Sequence, residues 1–192
     1  MNRVGVEAWL KEYGVVNYTL NEDLSVDVEG DIDISFKDLS SVPVSFGFVS
    51  GRFNCGYNNL TSLVGSPISV GVFHCGGNKL VSLVGSPESV VGNFFCNSNK
   101  LSNLEGCYVS VGGDFHCYDN QLTSLEGCPV VLPVEHEYQF NCSGNNLGES
   151  QDFLYDYSAE QLCMYYKNKM LNEKLHAIID RDVVVKSKNK KI

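Results

Sequence analysis

The sequence has no apolar run long enough to cross a membrane as a helix, which takes roughly 18 uninterrupted residues. Residues 1–10 show neither an apolar h-region nor a small-residue cleavage site. No secretory signal is therefore expected, and a cytoplasmic location is. Basic residues are few: 14 Lys and Arg stand against 23 Asp and Glu, for a net charge of −9. That balance argues against generic nucleic-acid binding, because an acidic body repels phosphate. There is no C-x-x-C pair among the eight cysteines, which leaves zinc ligation without its usual spacing. There is also no G-x-S-x-G, no phosphate-binding loop and no H-E-x-x-H, so the common signatures of acyl transfer, phosphoryl transfer and metalloproteolysis are missing. No cofactor and no metal is expected.

What is present is repetition. Five segments share the pattern Phe-x-Cys-x-x-Asn-x-Leu: Phe53 to Leu60, Phe73 to Leu80, Phe94 to Leu101, Phe115 to Leu122 and Phe140 to Leu147. Four of them continue to a second leucine: Leu63, Leu83, Leu104 and Leu125. The five cysteines lie 20, 21, 21 and 25 residues apart. A degenerate copy precedes them, with Ile32, Ile34, Lys37, Leu39 and Val42. A fixed period in this range marks a solenoid.

The spacing has a physical reading. In Phe-x-Cys the two side chains alternate, so both point to one face of a short strand. Asn-x-Leu-x-x-Leu leaves the strand and turns inward. Gly65, Gly85, Gly106 and Gly127, with Pro67, Pro87 and Pro129, then mark a turn that leaves no room for a long helix. A single coil buries about four large apolar side chains, worth roughly 1.5–3 kcal/mol each. Ordering its backbone costs about 1–2 kcal/mol per residue. One coil therefore cannot fold alone, and stacking is required. The buried turn strands backbone N–H and C=O groups, and the Asn amide, which both donates and accepts, suits them. Lys37 cannot accept a hydrogen bond and marks a terminal copy.

These segments resemble leucine-rich repeats. The motif L-x-x-L-x-L-x-x-N-x-L is matched by Val70, Phe73, Cys75, Asn78 and Leu80, and by Val91, Phe94, Cys96, Asn99 and Leu101. The phrases from Gly113 to Cys117 and from Leu122 to Pro129 are similar to short-repeat proteins encoded by large tailed bacteriophages. So is the N-terminal stretch around Trp9 and Tyr13. The likeness covers about residues 4–147. It implies a β-rich solenoid of 20–21-residue leucine-rich-repeat-like coils with a parallel sheet, an N-terminal helical and β cap, and a C-terminal α-helix. The expected divisions are 1–29 as the N-terminal cap, 30–148 as five to six repeats, 149–182 as a C-terminal helical cap, and 183–192 as a basic tail.

The termini are read from pattern. Val6 to Gly14 reads as a short helix stopped by Gly14, with Trp9, Leu10 and Tyr13 on its apolar side. Two strands follow, near Tyr18–Leu20 and Leu24–Val28. A capping box at Ser158-Ala-Glu-Gln161 opens a helix expected over about 159–180. That helix either closes the stack or presents its stripe to a partner or to a second copy. Residues 1–157 hold 6 basic and 19 acidic side chains, whereas 158–192 hold 8 and 4. Nucleic acid is thus an expected partner only through the basic tail, where Lys186, Lys188, Lys190 and Lys191 lie.

Without a secretion signal the cysteines are expected to be reduced and to pack as small hydrophobes. Cys163 is the nearest to a candidate nucleophile, but it falls in a helical stripe. His74 and His116 face outward, two repeats apart, too far for one metal ion. The exposed sheet face carries Asp31, Asp33, Val72 and Gln139 and, as the candidate protein-binding residues, Arg52, Asn54, Tyr57, His74, Asn93, Phe95, Asn97, Asp114, His116, Tyr118, Asp119 and Asn141. Phe95 is the centre of this array, since interface hot spots favour an aromatic ringed by polar groups. The expected function is noncatalytic protein binding, implied by the phage resemblance to act on a host protein such as a defence factor. The alternatives are a structural or self-associating virion component and, less favoured by the residues, an enzyme with a cysteine nucleophile.

Overall fold

A computed structural model describes residues 1–107, 110–129 and 140–148. The helix and strand expected around 159–180 and at Gln139, and the basic tail, lie outside these residues.

Asn2 starts the chain's first element. Its Oδ1 accepts from the Gly5 N–H at 3.0 Å, capping helix α1 (Arg3–Glu12). The helix begins one turn earlier than the apolar pattern alone suggests, because Asn2 is the cap. It ends before Gly14, whose φ is +68°. Val6, Trp9 and Leu10 are buried, and the Trp9 ring sits 4.5 Å from Tyr13 and 6.2 Å from Phe46.

Strand β1 (Tyr18–Leu20) pairs antiparallel with β2 (Val26–Val28). Leu24 has φ +66°, which keeps it in the turn and delays β2 to Val26. Every later pairing is parallel. Strands β3 (Ile32–Asp33), β4 (Phe46–Asn54), β5 (Ser69–His74), β6 (Ser89–Val90), β7 (Phe94–Phe95), β8 (Ser110–Val111), β9 (Phe115–His116) and β10 (Phe140–Asn141) form with β1 and β2 a single ten-stranded sheet. The chain is thus a β-solenoid of about five turns with a mostly parallel sheet.

Each turn crosses the sheet in two steps. One row pairs Val49, Val70, Val90 and Val111; the other pairs Ile32, Phe53, Phe73, Phe94, Phe115 and Phe140. Between the rows the register shifts, at Val49/Arg52. Three residues separate Val90 from Phe94 but only two separate Val70 from Phe73, and this is where a 20-residue spacing differs from a 21-residue one. It also corrects the motif alignment: Val90 is buried in the row, while Val91 is 72% exposed.

The interior is layered. Phe46, Phe53, Phe73, Phe94, Phe115 and Phe140 run as neighbours with ring centroids 5.2–6.0 Å apart. Cys55, Cys75, Cys96, Cys117 and Cys142 are buried beside them, as are Leu60, Leu80, Leu101, Leu122 and Leu147. Gly65, Gly85, Gly106 and Gly127 all take positive φ, the conformation their turns require.

The asparagines bind the layers together. Asn78 Nδ2 donates to the Cys75 carbonyl of its own turn at 3.0 Å and to the Cys55 carbonyl of the preceding turn at 3.1 Å. Its Oδ1 accepts from the Leu60 N–H at 2.9 Å. Asn99, Asn120 and Asn145 repeat this pattern one turn at a time. Asn58 does the same for the first turn, accepting from the Lys37 and Leu39 N–H groups and donating to the Ile34 carbonyl. The first turn therefore needs no amide of its own, and Lys37 costs it nothing.

Among the described residues Cys55, Cys75, Cys96, Cys107, Cys117 and Cys142 are buried and stand outside any disulfide. Cys128 departs from the expectation of a reduced thiol, being disulfide-bonded.

Candidate binding face

The strand step that buries Phe and Cys turns the residue between them outward. In chain order those residues are Asp33, Asn54, His74, Phe95, His116 and Asn141, and register pairs each with the next. The residue before each Phe faces the same way: Asp31, Arg52, Val72, Asn93 and Asp114.

Aromatic rings on this face form one lane. Phe36 stacks on Tyr57 at 4.6 Å with planes 6° apart, and Tyr57 stacks on His74 at 6.0 Å. His74 meets Phe95 at 5.4 Å, Phe95 meets His116 edge-on at 5.1 Å, and His116 meets Tyr118 at 6.1 Å. Phe36 is 71% exposed and Tyr57 50%; the other four are half-buried.

Two features of the local sequence make room for the lane. A Cβ on Gly56 would come 2.6 Å from His74 Cε1, and a Cβ on Gly77 would come 2.6 Å from Tyr57 Cδ1. Each glycine thus leaves a floor on which the ring of a neighbouring turn lies. The second feature is the turn after each Cys, where a left-handed residue occurs. Gly77 and Gly144 hold it at +69° and +65°, and Ser98 and Asp119 at +55° and +52°. Phe36 and Tyr57 occupy the same position at +54° and +53°, where a bulky side chain is disfavoured.

Burial disfavours the charged form of both imidazoles. It is the largest influence on His74 and His116 and lowers their pKa values below the ordinary histidine value. His74 Nδ1 and His116 Nε2 are buried and have no hydrogen-bond partner. Phe95 stands between the two rings. Among the described residues no group of three or more His, Cys, Asp or Glu side chains could hold a metal ion.

The polar members are committed to the backbone to different degrees. Asn54 Oδ1 accepts from the Gly56 N–H and Asn141 Oδ1 from the Ser143 N–H, locking the turn after each strand. Asp33 does the same for Ser35. Partial burial pushes the Asp33 carboxyl upward, but hydrogen bonds from Ser35 and Asn54 and the nearby Arg52 charge hold it below its usual value, so it stays ionised. Asn93 Oδ1 accepts from the Asp114 N–H at 2.9 Å, and the Arg52 N–H donates to Asp31 Oδ1 at 2.7 Å. The Arg52 and Asp119 side chains are exposed.

One expected residue leaves the face. Asn97 is only 4% exposed, because the strand ends at Phe95 and the chain has turned inward by Asn97. Its Nδ2 donates to Ser98 Oγ at 3.2 Å. The equivalent positions Gly56 and Gly76 are likewise buried, and that smallness was the available signal. Phe36 is the residue that reading by motif misses. It belongs to the degenerate first copy and sits two residues past Ile34, as Tyr57 sits two past Cys55.

Among the described residues the thiols sit away from this face; Cys163, the candidate nucleophile of the sequence, lies outside them. Burial pushes Cys55 up to about 12 and Cys142 up to about 11, and raises Cys75, Cys96 and Cys117 as well. No helix among the described residues is long and apolar enough to cross a membrane. Compared with family models, curated proteins and solved structures, the chain matches none.

Proposed function

We propose that this chain is a noncatalytic protein-binding module of the leucine-rich-repeat kind, working through the outward face of its sheet. The observation that carries the reading is the lane of six rings from Phe36 to Tyr118. Aromatic side chains dominate protein interfaces because they bury much area at little entropic cost. Solenoid sheets offer such surfaces broadly and rigidly. The described cysteines are buried in the core as packing residues, and the sequence shows no signature of acyl or phosphoryl transfer. The leucine-rich character rests on the Phe, Cys, Asn and Leu layers, in which Phe and Cys stand where leucines are usual. The resemblance to phage-encoded repeat proteins supports a host protein, such as a defence factor, as the partner, met in the host cytoplasm.

The test is a photocrosslinking amino acid placed at Phe95 and the protein expressed in a bacterial host. A discrete host protein should crosslink, and the band should vanish when His116→Ala and Tyr118→Ala are added. Crosslinking to a smear of abundant proteins, unchanged by those substitutions, would defeat the reading.

A further inference from the structure

Phe36 and Tyr57 hold their side chains in a backbone conformation that glycine, serine and aspartate fill in the other turns. Nothing in the fold demands an aromatic there, since Gly77 and Gly144 close the same turn without strain. Strain kept where a relaxed residue is available points to use. The two rings are also the most exposed of the lane. The contact centre thus moves from Phe95 to the Phe36–Tyr57 pair.

The face that carries the lane is acidic at both ends. Asp31 and Asp33 lie at the Phe36 end and Asp114 and Asp119 at the Tyr118 end, against a single guanidinium, Arg52; Lys37 follows Phe36 in the chain. Stacking on Phe36 and His74 occupies both faces of Tyr57. One face of Phe36 lies on Tyr57, and no other described ring covers the second. A planar cation can lie on that open face while its N–H groups reach a carboxylate, a combination suited to arginine more than lysine. A second copy of the same face would meet carboxylate with carboxylate, and a phosphate backbone would be repelled. The lane is one ring wide and crosses about five strands, roughly 20 Å, the reach of about six residues of extended chain.

We infer that the lane binds an extended, arginine-bearing segment of a protein partner, anchored on Phe36 and Tyr57 and flanked by Asp33 and Asp119. This rests on the protein-binding reading and adds the chemistry of the partner.

The experiment uses the full chain and two fluorescein-labelled decapeptides, one alternating Arg and Val, the other Glu and Val, titrated by fluorescence anisotropy. The Arg–Val peptide should bind at least about tenfold more tightly than the Glu–Val peptide. Phe36→Gly with Tyr57→Gly should weaken it by about tenfold or more while the melting temperature stays level or rises, because glycine relaxes the turn. A purely structural role for the rings would lower the melting temperature instead. Asp33→Asn keeps a residue that Asn54 shows can lock the turn, and together with Asp119→Asn it should remove most of the salt dependence. Equal binding of both peptides, or of neither, overturns the arginine inference while the Phe95 crosslink separately decides the protein-binding reading. Arg–Val affinity unchanged by the glycine pair overturns the anchor.

Discussion

The two faces of this sheet follow opposite rules although the same strands supply both. Inward, each turn repeats its neighbour: Phe over Phe, Cys over Cys, Asn over Asn, Leu over Leu. Outward, no rule of identity holds, and Asp33, Asn54, His74, Phe95, His116 and Asn141 follow one another in register. The interior must be uniform because each turn is the only lid its neighbour has. The exterior meets no such demand for identity, so beyond the turn-locking Asp33, Asn54 and Asn141 its residues are free to record something other than stability. The difference teaches where to look for function in a repeat fold: at the positions where repetition stops.

The contrast can be broken experimentally. The largest effect concerns the thiols. Cys55, Cys75, Cys96 and Cys117 should react with a thiol reagent about a thousandfold more slowly in native protein than in denaturant, since access requires unfolding. Rapid native labelling of these residues, read by mass spectrometry, would show the inner face to be open. Next comes a pair of adjacent rings. Phe94→Ala should cost about 3–5 kcal/mol in urea denaturation, whereas Phe95→Ala should stay under about 1 kcal/mol. Similar losses would erase the distinction between the faces.

Asparagine sharpens it further. Asn99→Ala leaves the Leu80 N–H without its acceptor and takes one of two amide donors from each of the Cys75 and Cys96 carbonyls, and should cost roughly 1–3 kcal/mol. Asn93→Ala, on the outer face, removes one half-buried acceptor and should cost about 1 kcal/mol or less. The smallest effect is on pH dependence. His74 and His116 have lowered pKa values in the fold, so the unfolded chain binds protons more readily. Their contribution is complete above the ordinary histidine value and is lost as pH falls below it. The melting temperature should therefore drop between pH 7.5 and 5, and His74→Gln with His116→Gln should flatten that slope. The interval stays above the carboxylate range, so Asp33 does not contribute.

The repeated residues made the inner face legible. Phe, Cys, Asn and Leu recur at one spacing, and their physical roles follow from alternation and from the amide's double capacity. Helix α1 and strands β1 and β2 were also readable from apolar pattern and Gly14. What escaped was set by single residues. Asn2 moved the helix start, and the extra residue between Val90 and Phe94 moved a core position from the expected Val91 to Val90. Asn97 was placed outside because strict alternation was carried two residues past the end of the strand. Phe36 was missed because its copy lacks the Phe and Cys that identify the others, and the left-handed turn that displays it leaves no mark in composition.

The amides have one more consequence. Because Asn78, Asn99 and Asn120 each serve carbonyls on two successive turns, every join between turns is chemically the same join. Splicing in or excising one whole unit, from one cysteine to the next, would hand each amide an equivalent set of clients. The scaffold can therefore change length in whole steps without renegotiating its inside, and each step adds or deletes one outward position on a tape whose backing stays the same.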